Sequence, residues 1–159
     1  MSQMIINTSI LVRQMVIRQV EAIPEGLFDI QPEAFNNTIR WNIGHIVSAL
    51  NGLLSRGGVS LDIHLPESYN ALFLTGSKPS EWTITPPSKE ELLQYLKEQL
   101  QALSEISPTI LDNIMEPAVQ LGPMKFERFG ELFSFTTIHE TMHTNTISCL
   151  LKVIKHEQG

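Results

Sequence analysis

Histidines four residues apart on a helix lie about 40° from one another around its axis, so both imidazoles can reach one metal ion. His139 and His143 have that spacing, near the end of a long uninterrupted helical pattern. With the residues between them they spell His139-Glu140-Thr141-Met142-His143, the H-E-x-x-H of zinc peptidases, in which the glutamate is the general base. Two chemistries are open at this point. One is metal-assisted peptide hydrolysis with Glu140 as base. The other is a metal site in which Glu140 either accepts a hydrogen bond from a ligand imidazole or is a plain helix-surface charge.

The source of a third ligand separates them, because catalytic zinc sites use three protein ligands and keep a position for water or substrate. The extended peptidase motif would place a glycine at position 146 and a histidine at position 149. The chain has Thr146 and Cys149 there, and Glu157 falls in the tail. No convincing strand alternation is available to hold a peptide. His45 is the better third ligand. It shares a stripe with Trp41, Ala49 and Gly52 at spacings of four and seven, and small residues on a stripe admit a close neighbour or a ligand. Burying two imidazoles on a core face costs free energy unless both find partners, and one divalent cation satisfies both.

The elements that must position these side chains read as helices. Ile6, Ile10, Ile17 and Val20 give a first helix over about 3–22, with Arg13, Gln14, Arg18 and Glu21 off that face. A second begins at Asn37 or Thr38 and runs to Arg56, with Ile39, Ile43, Ile46, Leu50, Leu53 and Leu54 as its aliphatic arc. Residues 57–87 form a long connection rich in Gly and Pro, whose apolar patch from Tyr69 to Leu74 suits one or two helical turns. His64 lies there and reads as a surface loop residue. Ser88 with Glu91 fits a capping box for a third helix carrying Leu92, Leu93, Leu96, Leu100 and Leu103. Residues 107–128 read as a second irregular connection. The last helix runs from about Phe129 to His156, with Leu132, Phe135, Thr136, Leu150 and Ile154 on the side of the histidines. The expected fold is all-α: a single-domain four-helix bundle with two long crossover connections.

Composition limits the function. With 159 residues the chain buries a core without disulfides. A formal net charge of −6 with scattered Lys and Arg argues against a nucleic-acid partner. No apolar stretch suits a membrane span, and no basic-then-apolar leader is apparent, so the expected setting is cytoplasmic. The single cysteine, Cys149, sits in an apolar helical run and reads as a buried, inert thiol.

The runs Trp41-Asn42-Ile43-Gly44-His45-Ile46 and Phe129-Gly130-Glu131-Leu132, followed by His139-Glu140-Thr141-Met142-His143, resemble the DinB family of bacterial proteins. The resemblance covers nearly the whole chain. It implies a four-helix bundle holding a metal on His45, His139 and His143, the set already reached from the residues. After the last histidine many members are similar to H-x-G-Q-[ILV], whereas this chain has His143-Thr144-Asn145-Thr146-Ile147. The family is similar in fold to bacillithiol-, mycothiol- and glutathione-dependent transferases, so the resemblance implies a small-molecule substrate, such as a low-molecular-weight thiol, and a homodimer as possible assembly. A divalent ion on three neutral histidines keeps its full charge and activates a bound thiol or water, which suits an S-transferase or a hydrolase. An all-histidine site accepts Zn, Ni, Fe or Cu. A carboxylate-bearing thiol would call for an arginine at the mouth, with Arg40, Arg56 and Arg128 as candidates. A non-catalytic metal-binding stress or interaction protein is the alternative of a different class.

Overall fold

The computed structural model describes residues 2–159. Four long helices carry the architecture: α1 (Ser2–Ala22), α2 (Ile39–Arg56), α4 (Lys89–Glu105) and α5 (Phe129–Glu157). A short α3 (Ser68–Phe73) interrupts the first long connection, where the apolar patch predicts it. Helix α2 packs on α5, α4 and α3, while α1 packs on α4 and α5. No described helix is long and apolar enough to cross a membrane.

The helix starts follow from local chemistry. Thr38 has an extended backbone and its side chain accepts from the amide of Trp41 at 3.2 Å, which fixes where α2 begins. Ser88 accepts from the amide of Glu91 at 3.1 Å. The reciprocal half of that box is replaced, because Glu91 instead accepts from the Tyr69 hydroxyl at 2.9 Å and ties α4 to α3. Glu131 accepts from the amides of Glu127 and Arg128 and sets the start of α5. One apolar cluster joins Val16 and Val20 of α1, Ile43 and Val47 of α2, Leu92 and Leu96 of α4, and Leu150 and Ile154 of α5. A second lies around Leu54, Leu103, Phe129 and Phe133. Each fully buried side chain of this kind contributes about 1.5–3 kcal/mol of transfer free energy.

Three expectations need correction. Residues 107–128 are not merely irregular: β1 (Ile114–Leu121) and β2 (Met124–Arg128) pair antiparallel about a Gly122-Pro123 turn, with Val119 opposite Phe126. Met115, Val119 and Phe126 face inward, but Pro117 and a register shift between Ile114 and Val119 break the alternation that would announce a strand. Arg13 is not off the buried face of α1. It is fully buried at the centre of a stripe with Ile6, Ser9, Val16 and Val20. Cys149 is exposed, since it sits about 100° around α5 from the buried Leu150. His64 is exposed on its loop, as expected.

Candidate metal centre

The second and last helices bring His45, His139 and His143 together, with one ligand atom from each lying within 4.8 Å of the others. His45 Nε2 stands 3.2 Å from His139 Nε2. Two nitrogens bound at about 2.0–2.1 Å to a tetrahedral ion would stand about 3.3 Å apart. The cluster therefore has the dimensions of a metal site.

Hydrogen bonds at the back of two of the rings, His45 and His143, fix which nitrogen faces inward. His45 Nδ1 is 2.6 Å from the carbonyl oxygen of Phe73, which can only accept, so Nδ1 carries the proton and Nε2 presents a lone pair. His143 Nδ1 is 2.8 Å from Asn42 Oδ1. The Asn42 amide nitrogen donates to Asn37 Oδ1 and to the Thr38 carbonyl, so its oxygen is left to accept and His143 likewise presents a bare Nε2. Carbonyl and amide acceptors behind ligand imidazoles are the usual means of setting tautomer and orientation. His45 Nε2 faces His139 Nε2 at 3.2 Å, so without an ion His139 can donate to His45, and a cation between the rings would take the place of that proton. The donor set thus fits a divalent metal ion.

The surroundings keep the imidazoles uncharged. Loss of hydration on burial pulls His139 down to about 4 and His143 to about 3, and the neighbouring histidines add to both effects. Burial also lowers His45, against the opposing pull of the Phe73 carbonyl. At neutral pH all three are free bases, the form a metal requires. Trp41 stacks on the His45 ring with centroids 4.7 Å apart and planes 9° apart. Its indole nitrogen donates to Ser77 Oγ, which in turn donates to the Leu72 carbonyl, so the end of α3 is anchored beside the cluster. Gly44 makes this possible, because a Cβ there would overlap the Phe73 ring.

Glu140 plays none of the three roles expected of it. It is buried, and its two carboxylate oxygens accept from Arg13 Nε at 2.7 Å and Nη2 at 2.9 Å. Arg13 Nη1 also donates to Gln99 Oε1. Gln99 in turn donates to the Val47 carbonyl and to Asn51 Oδ1, both at 2.8 Å. Glu140 is therefore the counter-ion of a polar network that joins α1, α4, α5 and α2. A peptidase base must hold water at the metal, and a carboxylate clamped by a buried arginine does not.

Of the three candidate arginines, two do not line the cleft beside the histidines. Arg40 is buried and makes a bidentate pair with Asp29 at 2.7 Å, while also donating to the Pro87 carbonyl at 2.6 Å. Arg128 is exposed and donates to the Asp112 carbonyl at 2.9 Å. Arg56 alone lines the cleft that opens beside His45 and His139. That cleft holds about 360 Å³ and is walled by Leu53, Phe73, Leu74, Leu121 and Phe135. Sequence reasoning missed Asn42, Phe73 and the Arg13–Gln99–Glu140 network. Asn42 offered a signal, a polar side chain three residues before His45 on a helix with an aliphatic arc. The Phe73 carbonyl offered none, since every residue carries one.

Mostly helical architecture with three converging, uncharged histidines defines a class of helical proteins built to be able to hold a metal ion. A model of the DinB superfamily matches residues 10–147, and the chain belongs to that family. No curated protein matches it.

Proposed function

We propose that this chain is a metal-dependent enzyme in which His45, His139 and His143 hold one divalent cation, and that it transfers a low-molecular-weight thiol to an electrophile. The four long helices and two long connections then form a crossover four-helix bundle of the DinB kind, with the metal between α2 and α5. The observation that carries the reading is the convergence of three histidines, two of which, His45 and His139, line one end of a mostly apolar cleft whose lining has no cysteine and no carboxylate. The attacking group is therefore brought in by a substrate. When bound, the ion would favour the deprotonated form of a thiol reaching it. The chain's own part is to fix the ligand rings through Phe73 and Asn42, to exclude water with Trp41 and Phe135, and to receive the electrophile in the cleft. Zinc, nickel and iron all suit the donor set. Hydrolysis at the same ion is the neighbouring reaction.

Elemental analysis of the purified protein and of His45→Ala tests the site. One equivalent of metal in the first and none in the second is expected, and full retention in His45→Ala refutes the three-histidine centre. Titrating cobalt-loaded protein with mercaptoethanol and with mercaptooctanoate tests the chemistry. A new near-ultraviolet sulfur-to-cobalt absorption is expected, and an unchanged spectrum at saturating thiol refutes the thiol reading.

A further inference from the structure

The cleft beside the histidines has a polarity the metal alone does not explain. Along α2, His45, Ala49, Gly52 and Arg56 follow one another at spacings of four, three and four, so Arg56 lies about 20° around the helix from His45 and about 16 Å along it. The two small residues between them form the floor. A Cβ built on Gly52 would meet nothing within 4 Å, so this glycine leaves open space rather than a packing contact. The far end is held by Arg56, whose Nη2 donates to the Gln120 carbonyl at 3.0 Å and so rests against β1. No carboxylate is paired with it among the described residues, and none lines the cleft, in a chain whose net charge is −6. A guanidinium with no paired carboxylate at the far end of an apolar trough describes a receptor for an elongated molecule with a negative end.

We propose that this cleft binds ligands with an apolar body and an anionic group, and that Arg56 anchors the anion. As a description of the substrate for the metal site, the proposal rests on the function proposed above; the anion binding itself does not. Arg56 also sits in the last turn of α2, where any cation complements the helix end. That role would change thermal stability but not the ranking of ligands.

The discriminating experiment uses the metal-free protein, with octanesulfonate and octanol as probes of equal chain length, followed by calorimetric titration. Wild type is expected to bind octanesulfonate about tenfold more tightly than octanol, the scale of a hydrogen bond to a charged group. Arg56→Gln should lose that preference while keeping its affinity for octanol, and Arg56→Lys should keep part of it. Gly52→Leu, which fills the floor, should abolish binding of both probes. Equal affinity of the two probes for wild type, an unchanged preference in Arg56→Gln, or no binding by wild type overturns the proposal. The probes carry no thiol and the protein no metal, so this result and the cobalt titration fail independently.

Discussion

Glu140→Gln separates a catalytic glutamate from a structural one, because the two roles predict opposite losses. In the structure Arg13 has no exposed side-chain surface and Glu140 only 5%. Both guanidinium–carboxylate bonds are short and parallel, and Gln99 completes the guanidinium's partners from α4. Glutamine removes the countercharge and turns an amide N–H₂ toward donors of the guanidinium, so at most one of the two bonds survives. Breaking a buried pair from one side costs about 3–5 kcal/mol, since the other charge is left uncompensated. At about 2–4 °C per kcal/mol for a chain of this size, Tm falls by about 6–20 °C. Thermal unfolding followed by circular dichroism, with metal content measured on the same samples, provides the assay. The variant should melt early yet retain its metal, because Glu140 touches none of the three imidazoles. Replacing both partners with apolar residues, Arg13→Met with Glu140→Leu, should cost much less than the sum of the two single changes. A Glu140→Gln protein melting within about 2 °C of wild type would refute the structural role and reopen the peptidase reading.

Three further outcomes follow from the contacts around the cluster. Asn42→Leu removes the acceptor behind His143 at nearly constant volume and should weaken metal binding about 10–100-fold, measured by competition with a chromophoric chelator; unchanged affinity would remove Asn42 from the site. Gly44→Ala drives a methyl group into the Phe73 ring, so α3 must shift and carry its carbonyl away from His45. A loss of about 1–3 kcal/mol in stability, together with weaker metal binding, is expected, and wild-type values for both would contradict the close approach. The pH dependence has a definite sign. The folded values of His139 and His143, about 4 and about 3, lie below the ordinary value of 6.5. The unfolded chain therefore takes up protons first as pH falls, so the metal-free protein is unpenalised above about pH 6.5 and loses stability progressively toward pH 4 and below. His143→Gln should flatten part of that decline in urea titrations run across the range, and an identical profile in the variant would count against the buried, neutral state.

What the sequence displays and what it conceals divide along physical lines. The helices were legible because each carries an aliphatic stripe of period 3.6 and a local start signal, as Thr38 and Ser88 show. The convergence of the three histidines was legible because a site able to hold a metal demands particular residue types at a spacing that a helix converts into proximity. The hairpin was not, since Pro117 and the bulge beside it destroy the alternation by which a strand is recognised. Arg13 was misplaced for a different reason. Helical periodicity is read from apolar residues, and a charged side chain in the middle of a stripe is assigned to the surface by default. Only its partner, 127 residues away on α5, makes its burial affordable, and pairing over that distance has no signature in one sequence.

The same geometry explains how a peptidase spelling arises without a peptidase. On α5 the histidines face α2, and residue 140, one step on, is rotated by about 100° toward α1. That position looks into the interior between α1 and α4, where Arg13 waits, so an acid there is set by charge pairing rather than by catalysis. The two sides of the turn are linked through Gln99, which donates to the Val47 carbonyl and to Asn51 Oδ1 on α2, the helix that also carries Asn42 and His45. Damage to the ion pair should therefore reach the metal centre as a loosening of α2 against α5. It would appear as lower stability with the metal still bound, and not as the loss of a single proton-transfer step.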